Sequence, residues 1–517
     1  MKTYIFILFG LFFTTLRAQQ PMPTQAFVPQ TAQLVSSFRY NVLKTANLSP
    51  NLRELGFMQR LANYLSFDIF NQKNDSLFFN LAENPTLIGV DTNQLFHLAS
   101  FRDTAGVIFY SLTLATGDLL KWKNFICKNL PRYQDSEFRY AGGNFYIARQ
   151  DHAFIWNKSR ISAIFMQRPP QFAPSWLQQT VYFEPFLAEY LNLTAANSLH
   201  NLPIFTQILA DKTAAFYLYF NPRNQLIPYP TAASCQLTDR LNIKMISAPP
   251  APLADLNTKK GNFPAARFAS LLKNTNAAAT FWAFFNTQNE ANQAKNVSFY
   301  SALEYVKLSS YAMGKNTNFL DSVGENIAFQ NAFAALNGHF LAKIVDFKYR
   351  NSDSLLLPVA EIGLDFNPKS KAVFDILTAE LCRKNIIKLV TPPNLLFSYP
   401  YDKDWIWYIA VEKEMIYCSM QDKTRPFLNK APKKNPILLS NKANLLEISP
   451  AVFAEKLAMV LDKKSQFQPL LKWIQTNVNS ANMYSLPAQN GLIIQNLELT
   501  FNPNFKPTWA LFFRFCG

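Results

Sequence analysis

Glycine is scarce in this chain, 14 residues in 517, and histidine scarcer still, at 4. Neither GxGxxG nor GxxxxGK[ST] occurs; Gly142-Gly143 and Gly314-Lys315 lack the remaining partners, which excludes a phosphate-cradling loop. The motifs GxSxG, HExxH and SxxK with its companions are missing as well, so no familiar hydrolase signature is present. His97, His152, His200 and His339 lie far apart and no CxxC occurs, which excludes a zinc site of ordinary ligand spacing. No cofactor and no metal is expected. The five cysteines, Cys127, Cys235, Cys382, Cys418 and Cys516, are too few, too spread and odd in number for a disulfide-stapled fold. One bridge of undetermined pairing, or a set of buried free thiols, both remain open.

Long apolar runs are also lacking. The one at Tyr4 to Phe13 follows Lys2 and precedes a small residue, Ala18, then Gln19. That is the layout of a secretory signal peptide cut after Ala18, and the run is too short to span a bilayer. Downstream the longest apolar stretch, Ala277 to Phe285, has the length of a strand. The mature chain is therefore expected to carry no transmembrane span.

What the chain does have is core-forming material. Hydrophobic residues make up 49%, with 47 Phe, while charged residues reach only 16%. Such a chain folds. Its length suggests several domains, and the clearest break is Ile246 to Gly261, where Pro249, Pro250 and Pro252 precede Lys259-Lys260. A second loop runs from Thr424 to Pro436. Ser49-Pro50 and Ser449-Pro450 start helices, the first continuing with Leu52, Leu55, Met58, Leu61 and Leu65 on one face. Glu325 to Leu336 reads as a helix closed by Asn337-Gly338.

Strand signals are at least as frequent: Gly106–Ala115, Asn144–Arg149, Ala153–Trp156, Ala214–Phe220, Phe340–Tyr349 and Trp405–Val411. Asn144–Arg149 and Ala153–Trp156 read as a hairpin, and Leu492–Phe501 with Trp509–Phe515 as another. The order strand, helix, two strands occurs twice: Gly106–Ala115, Leu119–Leu130, Asn144–Arg149, Ala153–Trp156, and later Pro358–Phe366, Lys369–Arg383, Trp405–Val411, Met415–Ser419. The expected fold is α+β: antiparallel sheets with packed helices, two related modules in series and a C-terminal β-hairpin. Its expected divisions are a signal peptide (1–18), an N-terminal module (19–245), a linker (246–261), a second module (262–436) and C-terminal helices with a hairpin (437–517).

The segments VPQTAQLVSSFRYNVLKTA, LIGVD, GVIFYSLTLATGDLLKWKNFI and ALNGHFLAKIVDF resemble a family of exported Gram-negative envelope proteins of unknown function. In that family an opening strand, a helix and a Gly-x-Asp segment precede a strand–helix module that recurs. The resemblance covers most of the mature chain and rests on packing patterns. It implies an exported, non-catalytic protein and transfers no site residues; the expected location is the periplasm or outer-membrane periphery, with the extracellular space as the alternative.

One cluster has acid–base composition: Asp91, His97 and Asp103 in GVDTNQLFHLASFRD. An imidazole between carboxylates could act as a base with an orienting partner, although nothing in the spacing puts all three on one face. The simpler reading places Asp91 in a turn and His97 near a strand end. Trp405 and Trp407 share a strand face, where core packing outweighs sugar stacking. Subtracting 34 acidic from 50 basic residues leaves +16, with Lys121, Lys123, Lys128 and Arg132 near one helix and Lys430, Lys433 and Lys434 in a loop. Basic surface of this kind suits an unknown envelope component, anionic lipid or polysaccharide; no nucleic-acid fold signature accompanies it. The function expected is non-catalytic binding or scaffolding. A secreted hydrolase with a scattered site, or a carrier of an apolar ligand, stands as the alternative.

Overall fold

The computed structural model describes residues 23–40, 84–102, 107–129, 138–148, 152–166, 183–221, 229–249, 267–268, 271, 277–284, 327–349, 356–391, 396–402, 405–412, 414–420, 444–461 and 467–507. The chain divides into two compact units, Met1–Leu237 with Pro507–Gly517, and Thr238–Lys506.

In the first unit, runs of branched and aromatic residues form β1 (Leu34–Arg39), β2 (Leu95–Arg102), β3 (Ile108–Ala115), β4 (Arg139–Ala141), β5 (Asn144–Ala148), β6 (His152–Trp156), β7 (Arg160–Met166), β8 (Phe216–Phe220) and β9 (Thr231–Leu237). They pair antiparallel in the order β4-β5-β6-β7-β3-β2-β1-β8-β9. Helix α1 (Leu119–Asn129) seats Trp122 and Ile126 among Phe96, Leu114, Phe154 and Trp156 on one face. Asp118 caps α1, its Oδ1 accepting from the N–H groups of Leu120 and Lys121 at 3.0 and 3.1 Å. The other face is covered by a 3-10 turn at Thr24–Phe27, by α2 (Glu184–Leu191) and by α3 (Pro203–Leu209). There Phe186 stacks on Phe109, ring centres 4.2 Å apart.

The second unit holds β10 (Arg240–Ser247), β11 (Ala279–Phe284), β12 (Leu336–Tyr349), β13 (Leu356–Phe366), β14 (Lys388–Thr391), β15 (Leu396–Asp402), β16 (Trp405–Val411), β17 (Met415–Met420), β18 (Asn444–Ile448), β19 (Val478–Gln489) and β20 (Leu492–Phe501). Their order is β14-β15-β16-β17-β13-β12-β11-β18-β19-β20-β10, again antiparallel throughout. Strands β1 to β9 and β11 to β19 thus pair in the same order. Helices α4 (Ile327–Ala335), α5 (Lys371–Arg383), α6 (Pro450–Val460) and α7 (Gln468–Asn477) complete this unit. Its core gathers Phe268, Leu271, Trp282, Leu341, Tyr417 and Leu445.

The α+β expectation needs correcting. Strands take 49% of the described residues against 30% in helices, and the fold is sheet-dominated. Strand pairing reaches further than local signals suggested, because cross-strand partners supply what propensity withholds. Leu336-Asn337-Gly338 does not close α4 as a cap; α4 stops at Ala335 and those residues open β12, with Gly338 at φ +94° beside a register shift. Leu492–Phe501 pairs with β19 and β10, while Trp509–Phe515 lies outside the described residues. Also outside them are the expected signal peptide, the helix over Leu52–Leu65, the loop Thr424–Pro436 and most of the Ile246–Gly261 break. Among the described residues no helix is long and apolar enough to cross a membrane.

Candidate functional site

His97 is the third residue of β2 and is wholly enclosed. Its register partners are Ser37 on β1 and Thr113 on β3, so all three side chains stand on the same face. The ring is held at both nitrogens: Nδ1 lies 2.7 Å from Ser37 Oγ and Nε2 lies 2.9 Å from Thr24 Oγ1. The Thr24 hydroxyl donates its proton to the Leu95 carbonyl at 3.0 Å. It can therefore only accept from the ring, which puts the proton on Nε2 and leaves Nδ1 to accept from Ser37. Burial pushes the imidazole pKa down to about 3, so it stays neutral.

A serine beside a histidine is the composition of a nucleophile and its base. Here the base has lost its basicity and the serine its access to solvent. Of the other two sequence candidates, Asp91 does not join it. Asp91 turns its carboxylate back on its own loop, Oδ1 accepting from the Asn93 N–H at 2.9 Å, and Asp103 lies outside the described residues. The surrounding hydroxyls are also committed: Thr113 Oγ1 contacts Tyr190 Oη at 2.8 Å and Ser162 Oγ at 3.2 Å.

Sequence reasoning missed a second cluster, centred on Asp365 near the end of β13. Its carboxylate, 1% exposed, accepts from Arg267 Nη1 at 3.1 Å, Asn337 Nδ2 at 3.2 Å and the His339 backbone N–H at 3.0 Å. Arg267 also reaches Glu414 at 2.8 Å. Burial lowers the His339 pKa; Asp365 pulls it up and Arg267 down. The signal available was Asp365 itself, an acid inside the apolar strand EIGLDF. This network ties the segment at 267 to β12 and β13, which is structural work.

The indole of Trp405 packs against Val359 and Met420, and that of Trp282 lies in the core with Leu341. Cys382 and Cys418 are free, and burial pushes the Cys418 thiol up to about 12, where it is inert. Lys123 lies over the Phe138 ring at 5.5 Å; Arg132, Lys430, Lys433 and Lys434 lie outside the described residues. Among the described residues no group of three or more His, Cys, Asp or Glu side chains could hold a metal ion.

One sheet face of the first unit is only partly covered. Leu34 and Tyr110 both lie directly opposite Ser100, and Leu218 stands one rung further along on β8; the three are 44–45% exposed on neighbouring strands of the same face.

No protein-family model and no curated protein matches the chain. The chain is similar to solved structures of TP0453 in crystal forms I, III and IV, at 11–12% identity and a TM-score of 0.27. The likeness covers 48–55% of this chain and 85–98% of those.

Proposed function

We propose that this chain is an exported envelope protein that binds a partner rather than transforming a substrate, built from two copies of one antiparallel-sheet module. The observation that carries the binding reading is the face bearing Leu34, Tyr110 and Leu218. Large apolar side chains grouped on a rigid sheet favour association with another apolar surface. The common pairing order of β1–β9 and β11–β19 supports the duplication. The charged start, apolar run and Ala18 support export, with cleavage after Ala18 and residence in the periplasm or at the outer-membrane periphery. The net +16 suits an anionic envelope component as the setting.

The test is a double variant, Leu34→Lys with Leu218→Lys, expressed in a Gram-negative host. Both positions are exposed, so the melting temperature should stay within a few degrees of wild type while chemical crosslinking to envelope components falls sharply. Unchanged crosslinking would refute the binding face. N-terminal sequencing of the fractionated protein tests export separately; a cytosolic chain beginning at Met1 would end that part. A hydrolytic activity toward envelope polymers, lost in His97→Ala, would overturn the non-catalytic reading.

A further inference from the structure

Helix α5 ends in a cap that fixes the residues after it. Asn385 sits at φ +56°; its N–H donates to the Cys382 carbonyl at 2.9 Å, and the Ile386 N–H donates to the Leu381 carbonyl at 2.9 Å. Ile386 is nevertheless 42% exposed. The chain then enters β14, which among the described residues pairs with β15 alone and so ends the sheet of the second unit. Leu389 is in register with Phe397 and Thr391 with Leu396, which makes Val390 an extra residue with no register counterpart. Leu389 and Val390 are 49% and 37% exposed. Across residues 383–390 only Ile387 is buried. The same stretch holds Arg383, Lys384 and Lys388 and no acid. Glu380, the nearest acid in sequence, is held by Lys384 at 3.0 Å, and among the described residues Arg383 and Lys388 make no ion pair.

The helix dipole accounts for Arg383 and Lys384, cations at a helix C-terminus, but not for Lys388 or for three large apolar side chains left in water. We propose that this edge, residues 383–390, docks on an anionic lipid surface: Ile386, Leu389 and Val390 enter the headgroup boundary while Arg383 and Lys388 meet lipid phosphates. Exposed apolar side chains flanked by unpaired cations are complementary to that surface, which offers both an apolar layer and negative charge. A second copy of the chain would instead bring like charges together. Addition of a strand to β14 is opposed by the bulge at Val390 and by Lys388, devices that guard an edge against pairing. The cap and the pairing with β15 hold the segment in place before contact, so little ordering is needed on binding. The surface is independent of the face bearing Leu34, Tyr110 and Leu218; only its setting, an anionic envelope membrane, rests on the export proposed above.

Flotation of the chain, purified from a Gram-negative host, with phosphatidylcholine vesicles that contain or lack phosphatidylglycerol decides it. The chain should float with the anionic vesicles and not with the neutral ones. The net +16 would by itself draw the chain toward any anionic surface, so the deciding variant changes no charge. Leu389→Ser with Val390→Ser should keep its melting temperature within a few degrees and lose at least about tenfold in vesicle affinity. Arg383→Gln with Lys388→Gln should lose about fivefold per cation. Wild-type affinity in the serine variant would overturn the proposal, as would equal flotation with neutral vesicles. A loss confined to Leu34→Lys with Leu218→Lys would move the contact to the other face and overturn it too. So would a chain that ignores vesicles but forms a dimer abolished by the serine variant, which would make the edge a protein interface. Should the double serine variant not fold, Val390→Ser alone, at a position with no register counterpart, still decides. Vesicle binding is read on purified protein, so it holds or fails apart from the N-terminal sequencing that tests export.

Discussion

The two sheets share a pairing order but fill the middle of one face differently. In the first unit a single rung runs Ser162, Thr113, His97, Ser37, Tyr217, Ser234 across six neighbouring strands. In the second a rung over the corresponding strands runs Ser419, Glu361, Lys343, Thr280, Glu447, Asn482. The first is neutral, closed by hydroxyls and an uncharged imidazole. The second places a buried lysine directly opposite a buried glutamate, 4% and 3% exposed. One backbone plan therefore tolerates two ways of burying polarity, and they should fail differently. A neutral hydrogen bond lost from a core costs about 1–3 kcal/mol, whereas a buried charge stripped of its partner costs about 3–5 kcal/mol.

The largest expected effect lies in the second unit. Lys343→Met or Glu361→Leu alone should destabilise by roughly 3–5 kcal/mol, because each removes one of two opposite charges that face each other at buried register positions. The double variant should recover much of that loss, giving a coupling energy of the same order in a double-mutant cycle by urea unfolding. Additive losses would mean the two charges are satisfied independently, and the contrast with the first unit would collapse.

A smaller loss is expected where the first unit turns into α1. Gly89 sits at φ +81° and its carbonyl accepts from the N–H groups of Gly117 and Asp118 at 2.7 and 2.9 Å. A Cβ there would run into the Asp118 carbonyl, so Gly89→Ala combines a disfavoured backbone with a backbone clash. About 2–4 kcal/mol is expected by urea unfolding. Gly491, also at positive φ (+75°) but with open space around its Cβ position, should lose only about 1 kcal/mol on the same change.

Aromatic and branched strands such as β3, β6 and β16 were legible because their composition is strand-like whatever they pair with. β19 was not: VNSANMYSLPAQ reads as loop, and it becomes a strand through partners on β18 and β20. The signal that would have found it is Asn490-Gly491, both at positive φ, a dipeptide that favours a tight hairpin. The two polar centres were less legible still. His97 could be singled out by type, but Ser37 and Thr24 lie 60 and 73 positions away. Arg267 and Asp365 are separated by 98, a distance at which no spacing rule operates. Residue type survives in sequence; convergence belongs to the tertiary fold.

A pH-dependent effect best isolates the neutral rung. His97 has a folded pKa of about 3 against the ordinary histidine value of 6.5, so between those values the unfolded chain takes up a proton that the folded chain refuses. Its contribution is fully present above pH 6.5 and is lost progressively as pH falls toward 3, by about 1.4 kcal/mol per pH unit. From pH 6.5 to pH 5 that amounts to roughly 2 kcal/mol. Other groups titrate over the same range, so the informative quantity is the difference between wild type and His97→Gln, whose amide does not titrate. The variant should start less stable at about pH 7.5 and lose about 2 kcal/mol less on going to about pH 5. His339 is also lowered, but it sits beside Asp365 in the second unit and is unchanged in both proteins, so it cancels. Parallel pH profiles for the two proteins would mean that His97 can reach a proton in the folded state. In that event the Ser37–His97 pair would regain its standing as a base beside a nucleophile, and the first unit, not the second, would be the place to look for chemistry.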